Sequence, residues 1–282
     1  FLGGVEPAPV VEVASALHEL EVEWAPAAGA AVESRGVSRE FLGHLGTVTV
    51  DALDRHTEGS ALVFVPGARE VDHVVADLRS RLAGIDVVGL SGAMSAREQD
   101  HALSDPGNVR RVIVSTAVAE SSLTVPGVRL VVDSGLSREP RLDRGRGMTG
   151  LVTVRESRAS AVQRAGRAAR LGPGVAVRCM RAQDWAGMNA DPTPEVDHAD
   201  LVASLLSLAV WGSPRGEGMA LPTPLPQDRV AAAEEELRDL GAVDAEGRIT
   251  VRGRHLATFP LDPRLARALT DGAAIIGSRR CA

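Results

Sequence analysis

The sequence predicts an α/β protein, a doubly wound parallel sheet with an inserted β-hairpin, followed by a mostly helical domain. Three observations carry this. Short apolar runs alternate with helical periodicities through the first two thirds of the chain, as in parallel sheets covered on both faces. The alternation breaks once, over residues 136–158, where arginines and glycines separate two strand-like stretches. Past Asp191-Pro192-Thr193-Pro194 the strands give way to helices.

Residues 10–25 read as an extended entry segment carrying Val10, Val11, Val13, Leu20, Val22 and Trp24, and an Ala/Pro/Gly linker follows to residue 33. Ala61-Leu-Val-Phe-Val65 is a strand buried on both faces, ended by Pro66-Gly67. Val71, Val74, Val75, Leu78 and Leu82 keep a helical period, and Asp86-Val-Val-Gly-Leu90 is the next strand. Ser95 with Glu98 three residues on is a capping box opening a short helix to residue 103. Val112-Ile-Val114, Val128-Arg-Leu-Val-Val132 and Val175-Ala-Val177 supply three further strands.

Gly145-Arg146-Gly147-Met148-Thr149-Gly150 formally matches the dinucleotide fingerprint G-x-G-x-x-G. That fingerprint must follow a strand and open a helix. Here the β-branched Leu151-Val-Thr-Val154 follows, so a hairpin with a glycine-rich tip and arginine-rich arms is the better reading. Residues 199–211 form an apolar helix stopped by Gly212, and residues 228–240 an amphipathic one stopped by Gly241. A turn at Ala245-Glu246-Gly247 with a strand over 249–251 completes the pattern of a winged helix. Asp262-Pro263 is an N-cap and N1 pair, and the helix it opens reads as the start of a truncated helical domain.

Of the 282 residues, 44% are hydrophobic and 24% charged, as in ordinary soluble domains. No apolar run is long enough to span a bilayer, and no signal-peptide pattern opens the chain. Cys179 and Cys281 form no Cys-x-x-Cys pair, and the seven histidines show no metal-ligand spacing. The expectation is a cytoplasmic protein without disulfides or a structural metal, with no membrane partner. The net charge of −6 argues against a general nucleic-acid coat. Residues 129–181, however, carry twelve arginines against four acids, which concentrates positive charge on one stretch of an acidic body.

The densest part of that stretch is Gln163-Arg164-Ala165-Gly166-Arg167-Ala168-Ala169-Arg170. If residues 160–171 are helical, Gln163, Arg167 and Arg170 share one face and Arg164 turns roughly 100° away. Forked guanidiniums clamp phosphate chains; a merely solvated basic helix end is the plain alternative. A second stretch, Ser115-Thr116-Ala117-Val118-Ala119-Glu120-Ser121-Ser122-Leu123-Thr124, follows the 112–114 strand. Hydroxyls and small residues there form binding loops in doubly wound folds, although most such stretches are only turns.

Together the two stretches resemble motifs V and VI of the DEAH-type RNA helicases of superfamily two, and Ala61-Leu-Val-Phe-Val-Pro-Gly67 resembles motif IV. Within that family the resemblance is nearest to the bacterial HrpB-type helicases. Thr193-Pro-Glu-Val196, Ala199-Asp-Leu201 and Phe259-Pro-Leu-Asp-Pro-Arg-Leu-Ala-Arg267 look like its winged-helix stretch and exit. The chain departs from the family at Ala117, where Asn is common, near Pro126, where an acid often stands, and at Ala169, where Gly is usual. It holds no G-x-x-x-x-G-K-[ST], no Asp-Glu-x-His and no lysine at all.

The resemblance implies a RecA-like fold: residues 1–25 ending a first RecA-like domain with its linker, 26–190 the second RecA-like domain, 191–262 the winged helix, and 263–282 a truncated helical domain. It implies ATP as cofactor, with Mg2+ held mainly by the first RecA-like domain. Gln163, Arg167 and Arg170 are then the catalytic residues, the two arginines as fingers. Gly166, Glu120 and Ser122 line the ATP site, and Glu120 couples the two motifs. Thr116, Ser115, Ser91 and Arg69 meet RNA phosphates, and Arg144 and Arg146 reach the RNA strand from the hairpin. The expected partner is single-stranded or structured RNA, with DNA as the alternative, and the protein is expected to be a monomer. The expected function is ATP-driven translocation or unwinding by the full-length enzyme, with this stretch alone inactive. The alternative is a non-enzymatic RNA- or protein-binding module derived from a helicase half.

Overall fold

A computed structural model describes residues 9–12, 18–104, 107, 109–120, 123, 125–143 and 148–277. The chain divides into two compact units. One comprises residues 11–139 and 151–192, the other residues 193–282 with 1–10 and 140–150.

The first unit opens with β1 (Leu20–Trp24), the two-residue strands β2 (Val32–Glu33) and β3 (Gly36–Val37), and helix α1 (Arg39–Arg55). Then β4 (Ser60–Phe64), α2 (Ala68–Arg81), β5 (Asp86–Leu90), α3 (Ala96–Leu103), β6 (Arg111–Ser115) and β7 (Val128–Asp133) alternate as the apolar runs predict. After the paired strands β8 (Leu136–Asp143) and β9 (Met148–Arg155), whose residues 140–150 are grouped with the second unit, come α4 (Arg158–Ala165), β10 (Gly174–Arg178) and α5 (Ala182–Ala186). β8 and β9 form the expected two-stranded sheet; residues 144–147 between them lie outside the described residues.

The six-stranded sheet runs β1-β10-β7-β4-β6-β5, and every described pairing in it is parallel. Alternate residues of each strand face opposite layers. Ala61 and Val63 pack with Leu45 of α1 and Val74 of α2, while Leu62 and Phe64 pack with Ala102 of α3 and Ala165 of α4. β4 lies at the switch point, because the chain leaves it for β5 and β6 on one side and continues to β7 on the other. Ligand crevices form at such points beyond the strands' C-terminal ends.

One expectation is corrected here, and one helix is added. Residues 20–24, read as the end of a preceding domain, are β1, the edge strand of this same sheet. Their register with β10 runs from Leu20 opposite Gly174 to Trp24 opposite Arg178. The Arg178 guanidinium holds that edge, 5.2 Å from the Trp24 ring and 3.8 Å from that of Trp185. Helix α1, absent from the sequence reading, begins at Ser38, whose hydroxyl accepts from the Phe41 N–H.

The second unit holds α6 (Val202–Trp211), α7 (Gln227–Asp239), α8 (Val251–Leu256) and α9 (Pro263–Ile276). Its core joins Leu205, Leu206, Val230, Leu237, Leu256 and Ala266. Gly212 ends α6 with φ of 92°, a conformation glycine adopts without strain, and the Asp262 carboxylate caps α9 through the Arg264 N–H. The expected β-wing shrinks to one bridge, Val243 to Ile249. Thr250 is the cause: its hydroxyl accepts from the Gly253 N–H and so opens α8 at Val251, where a strand was expected.

Candidate nucleotide and RNA site

The site is built on one buried guanidinium. Arg164 is 1% exposed and lies in α4, which Ser157 caps by accepting from the Ser160 N–H. Its Nε donates to Glu120 Oε2 at 2.9 Å, and its Nη1 donates to Asp133 Oδ1 and to the Leu136 carbonyl, both at 3.1 Å. The same Nη1 stands 2.6 Å from Glu156 Oε2, an ionic contact without hydrogen-bond alignment. The Phe64 ring lies 5.1 Å from Cζ. Burial alone would lower the pKa of this guanidinium, but Asp133, Glu156 and Glu120 raise it above its ordinary value.

Asp133 and Glu156 crowd that cation. If both were ionised, Asp133 Oδ2 and both Glu156 oxygens would lack a hydrogen-bond partner in the interior. Burial first, and then the neighbouring Asp133 charge, push the Glu156 carboxyl up to about 10. A proton on Glu156 would let that carboxyl donate to Asp133 and relieve the repulsion between them.

Arg167 ties the same segments a second time. Its Nε donates to the Glu120 carbonyl at 2.8 Å, as does its Nη2, and its Nη1 donates to the Leu123 carbonyl at 2.8 Å. Burial, then the neighbouring Arg170, hold its pKa below the ordinary arginine value. The continuous helix expected over residues 160–171 is therefore corrected. α4 stops at Ala165, and i→i+3 bonds continue from Arg167 to Arg164, Ala168 to Ala165 and Ala169 to Gly166. Tightening the winding turns Arg167 inward and leaves Gln163 and Arg170 exposed, so the three do not share a face. Gly166 is the C-cap of α4, beside this turn.

The segment after β6 lies against these arginines. Thr116 is half-buried, its N–H on the Leu90 carbonyl, and a 3-10 turn follows over Ala117–Ala119. Ser115, expected to meet RNA, is fully buried with its hydroxyl on the Thr116 carbonyl, so its side chain has no surface to offer a phosphate. Ser91 is also buried, whereas Arg69 is exposed in the first turn of α2. Ser122, Arg144 and Arg146 lie outside the described residues. Among the described residues, no group of three or more His, Cys, Asp or Glu is arranged to hold a metal ion, and no helix is long and apolar enough to cross a membrane.

Residues 45–172 match the family described as the helicase conserved C-terminal domain, and residues 233–261 match the helicase associated domain (HA2), winged-helix. The chain corresponds to a C-terminal portion of the DEAH-type helicases of superfamily two. It is 39% identical over 220 residues to the ATP-dependent RNA helicase HrpB of Escherichia coli, covering 77% of this chain and 27% of that protein. To the ATP-dependent RNA helicase HrpA of the same organism it is 29% identical over 272 residues, 94% of this chain and 20% of that one. The crystal structure of the Escherichia coli DEAH/RHA helicase HrpB superimposes with a TM-score of 0.85 at 32% identity, over 97% of this chain and 34% of that one. The chain thus spans about a third or less of the relatives it matches. A DEAH-type portion accounts for the parallel sheet, the hairpin and the helical second unit.

Sequence reading missed Arg164, Asp133 and Glu156, the buried charged network that supports the site from behind. One signal was available: Arg164 points away from the other polar arms into a run of alanines, where an arginine is stable only if paired. Glu156 carries no local mark, because its partners lie 8, 23 and 36 positions away in sequence.

Proposed function

We propose that this chain supplies one wall of the ATP site and part of the RNA path of an ATP-dependent RNA helicase. The observation that carries the reading is the double tie of Arg164 and Arg167 to the segment after β6, with Gln163 and Arg170 left exposed beside it. ATP, when bound, supplies the phosphoryl group that leaves to water. Exposed Arg170 is suited to stabilise charge on that group, and Gln163 to orient the attacking water. Arg167 joins Arg170 as a finger by exchanging its carbonyl acceptors for phosphate oxygens. Gly166, Glu120 and Ser122 border the nucleotide, Glu120 with its carboxylate held by Arg164. Thr116, Arg69 and the hairpin arginines Arg144 and Arg146 follow the RNA backbone. The carboxylates nearest these arginines are engaged with Arg164, so Mg2+ is held mainly by the first RecA-like domain.

The test is Arg170→Ala in the protein that also carries the P-loop half. ATP turnover should fall by about 10³-fold or more, the scale of a lost arginine finger, with RNA affinity retained. Near-normal turnover would remove Arg170 from the catalytic set.

A further inference from the structure

The root of the β8–β9 hairpin has no part in the reading above, yet both of its ends meet in the Arg164 guanidinium. The Leu136 carbonyl, at the first residue of β8, accepts from Nη1, and Glu156, the first residue after β9, lies against the same nitrogen. The Glu156 N–H closes the root on the Gly135 carbonyl at 3.1 Å. On its other edge the guanidinium holds Glu120 in the segment after β6. β8 has a second anchorage, where Arg138 Nη2 donates to both carboxylate oxygens of Glu70 in the first turn of α2, at 3.1 and 3.2 Å. A planar fork cannot follow a shift of one partner without losing another. Interiors packed this closely switch between arrangements and do not deform gradually.

We propose that Glu156 is a positioning residue that couples the hairpin to the segment after β6, so that RNA engaged by the hairpin is sensed where ATP is turned over. The last step rests on the reading in the preceding subsection; the mechanical coupling does not. Arg164 is the joint, and Glu156 sets where the hairpin root sits against it.

The first test measures amide hydrogen exchange on the 282-residue chain. Glu156→Ala should raise exchange about tenfold at the Ala119 and Glu120 amides as well as at residues 136 and 157, with α1 unchanged. Glu156→Gln, which mimics the protonated acid, should match the parent. A rise confined to the hairpin root would overturn the proposal. If Glu156→Ala does not fold, Glu120→Gln tests the joint from its other side. Exchange should then rise at the Leu136 and Glu156 amides, and unchanged exchange there would overturn the coupling. In the protein with its P-loop half, Glu156→Ala should cut RNA stimulation of ATP turnover about tenfold, with unstimulated rate and KM for ATP unchanged and Glu156→Gln restoring it. Equal loss of stimulated and unstimulated rates would mark Glu156 as structural only. Absence of ATP turnover in the parent protein would count against the proposed function and leave the exchange result standing.

Discussion

At the scale of single residues, the site depends on how an arginine is made stable inside a protein. An unpaired charge there is costly, and removing one partner of a buried pair typically costs about 3–5 kcal/mol. Arg164 avoids this by spending its donors on Glu120, Asp133 and the Leu136 carbonyl. Glu156 resolves the remaining crowding by keeping its proton, which makes stability depend on pH. Its unfolded pKa is near 4.5 and its folded one about 10. Between those values the native state holds more protons at this group, so its contribution to stability is fully present below about 4.5 and declines as pH rises toward 10. The slope from one such group is at most about 1.4 kcal/mol per pH unit. Urea unfolding at pH 6 and pH 9 should show this decline in the parent chain and a flatter one in Glu156→Gln. Equal slopes would mean that Glu156 is ionised in the fold.

At the scale of elements, close approach decides where motif residues point. A Cβ on Gly174 would stand 2.3 Å from the Ala168 carbonyl, so β10 begins hard against the turn that carries Arg167. Gly43, inside α1, would meet nothing within 4 Å. Gly174→Ala should therefore destabilise the chain by about 1–3 kcal/mol through overpacking. Gly43→Ala should stabilise it by about 0.5–1 kcal/mol through helix propensity. Denaturant midpoints of the two variants check both signs. The central strands were legible because each is a short apolar run bounded by turn residues, and the cap of α3 because Ser95 and Glu98 have the required spacing. β1 was not legible as part of this sheet, since its partner β10 lies some 150 positions away in the chain.

At the scale of the whole molecule, the charge is divided, with twelve of the 31 basic residues within residues 129–181 of a chain whose net charge is −6. Arg164, Arg167 and Arg178 of that stretch are engaged inside the fold, so phosphate backbones should be met by exposed arginines such as Arg170, with an affinity that falls steeply with salt. The 282 residues contain neither a P-loop nor a lysine to complete one. Purified, this chain should hydrolyse no ATP above background while retaining weak, salt-sensitive RNA binding. Robust turnover by the chain alone would overturn the assignment of only one wall of the ATP site.

By itself the sequence determined the fold class, the order of the central elements and the family. Those rest on local patterns: apolar periodicity, caps, turn residues, and the two motif stretches read as strings. Only the tertiary structure decided which arginine is exposed and which is buried. Gln163, Arg164, Arg167 and Arg170 look alike as polar arms on a small-residue segment. Their roles separate once α4 stops at Ala165 and the following turn tightens. It also decided that burial raises the pKa of a carboxyl next to a helix cap, and that both ends of a hairpin meet one guanidinium. Those outcomes depend on contacts between distant segments in a dry interior, where charge and hydrogen bonding outweigh local preference.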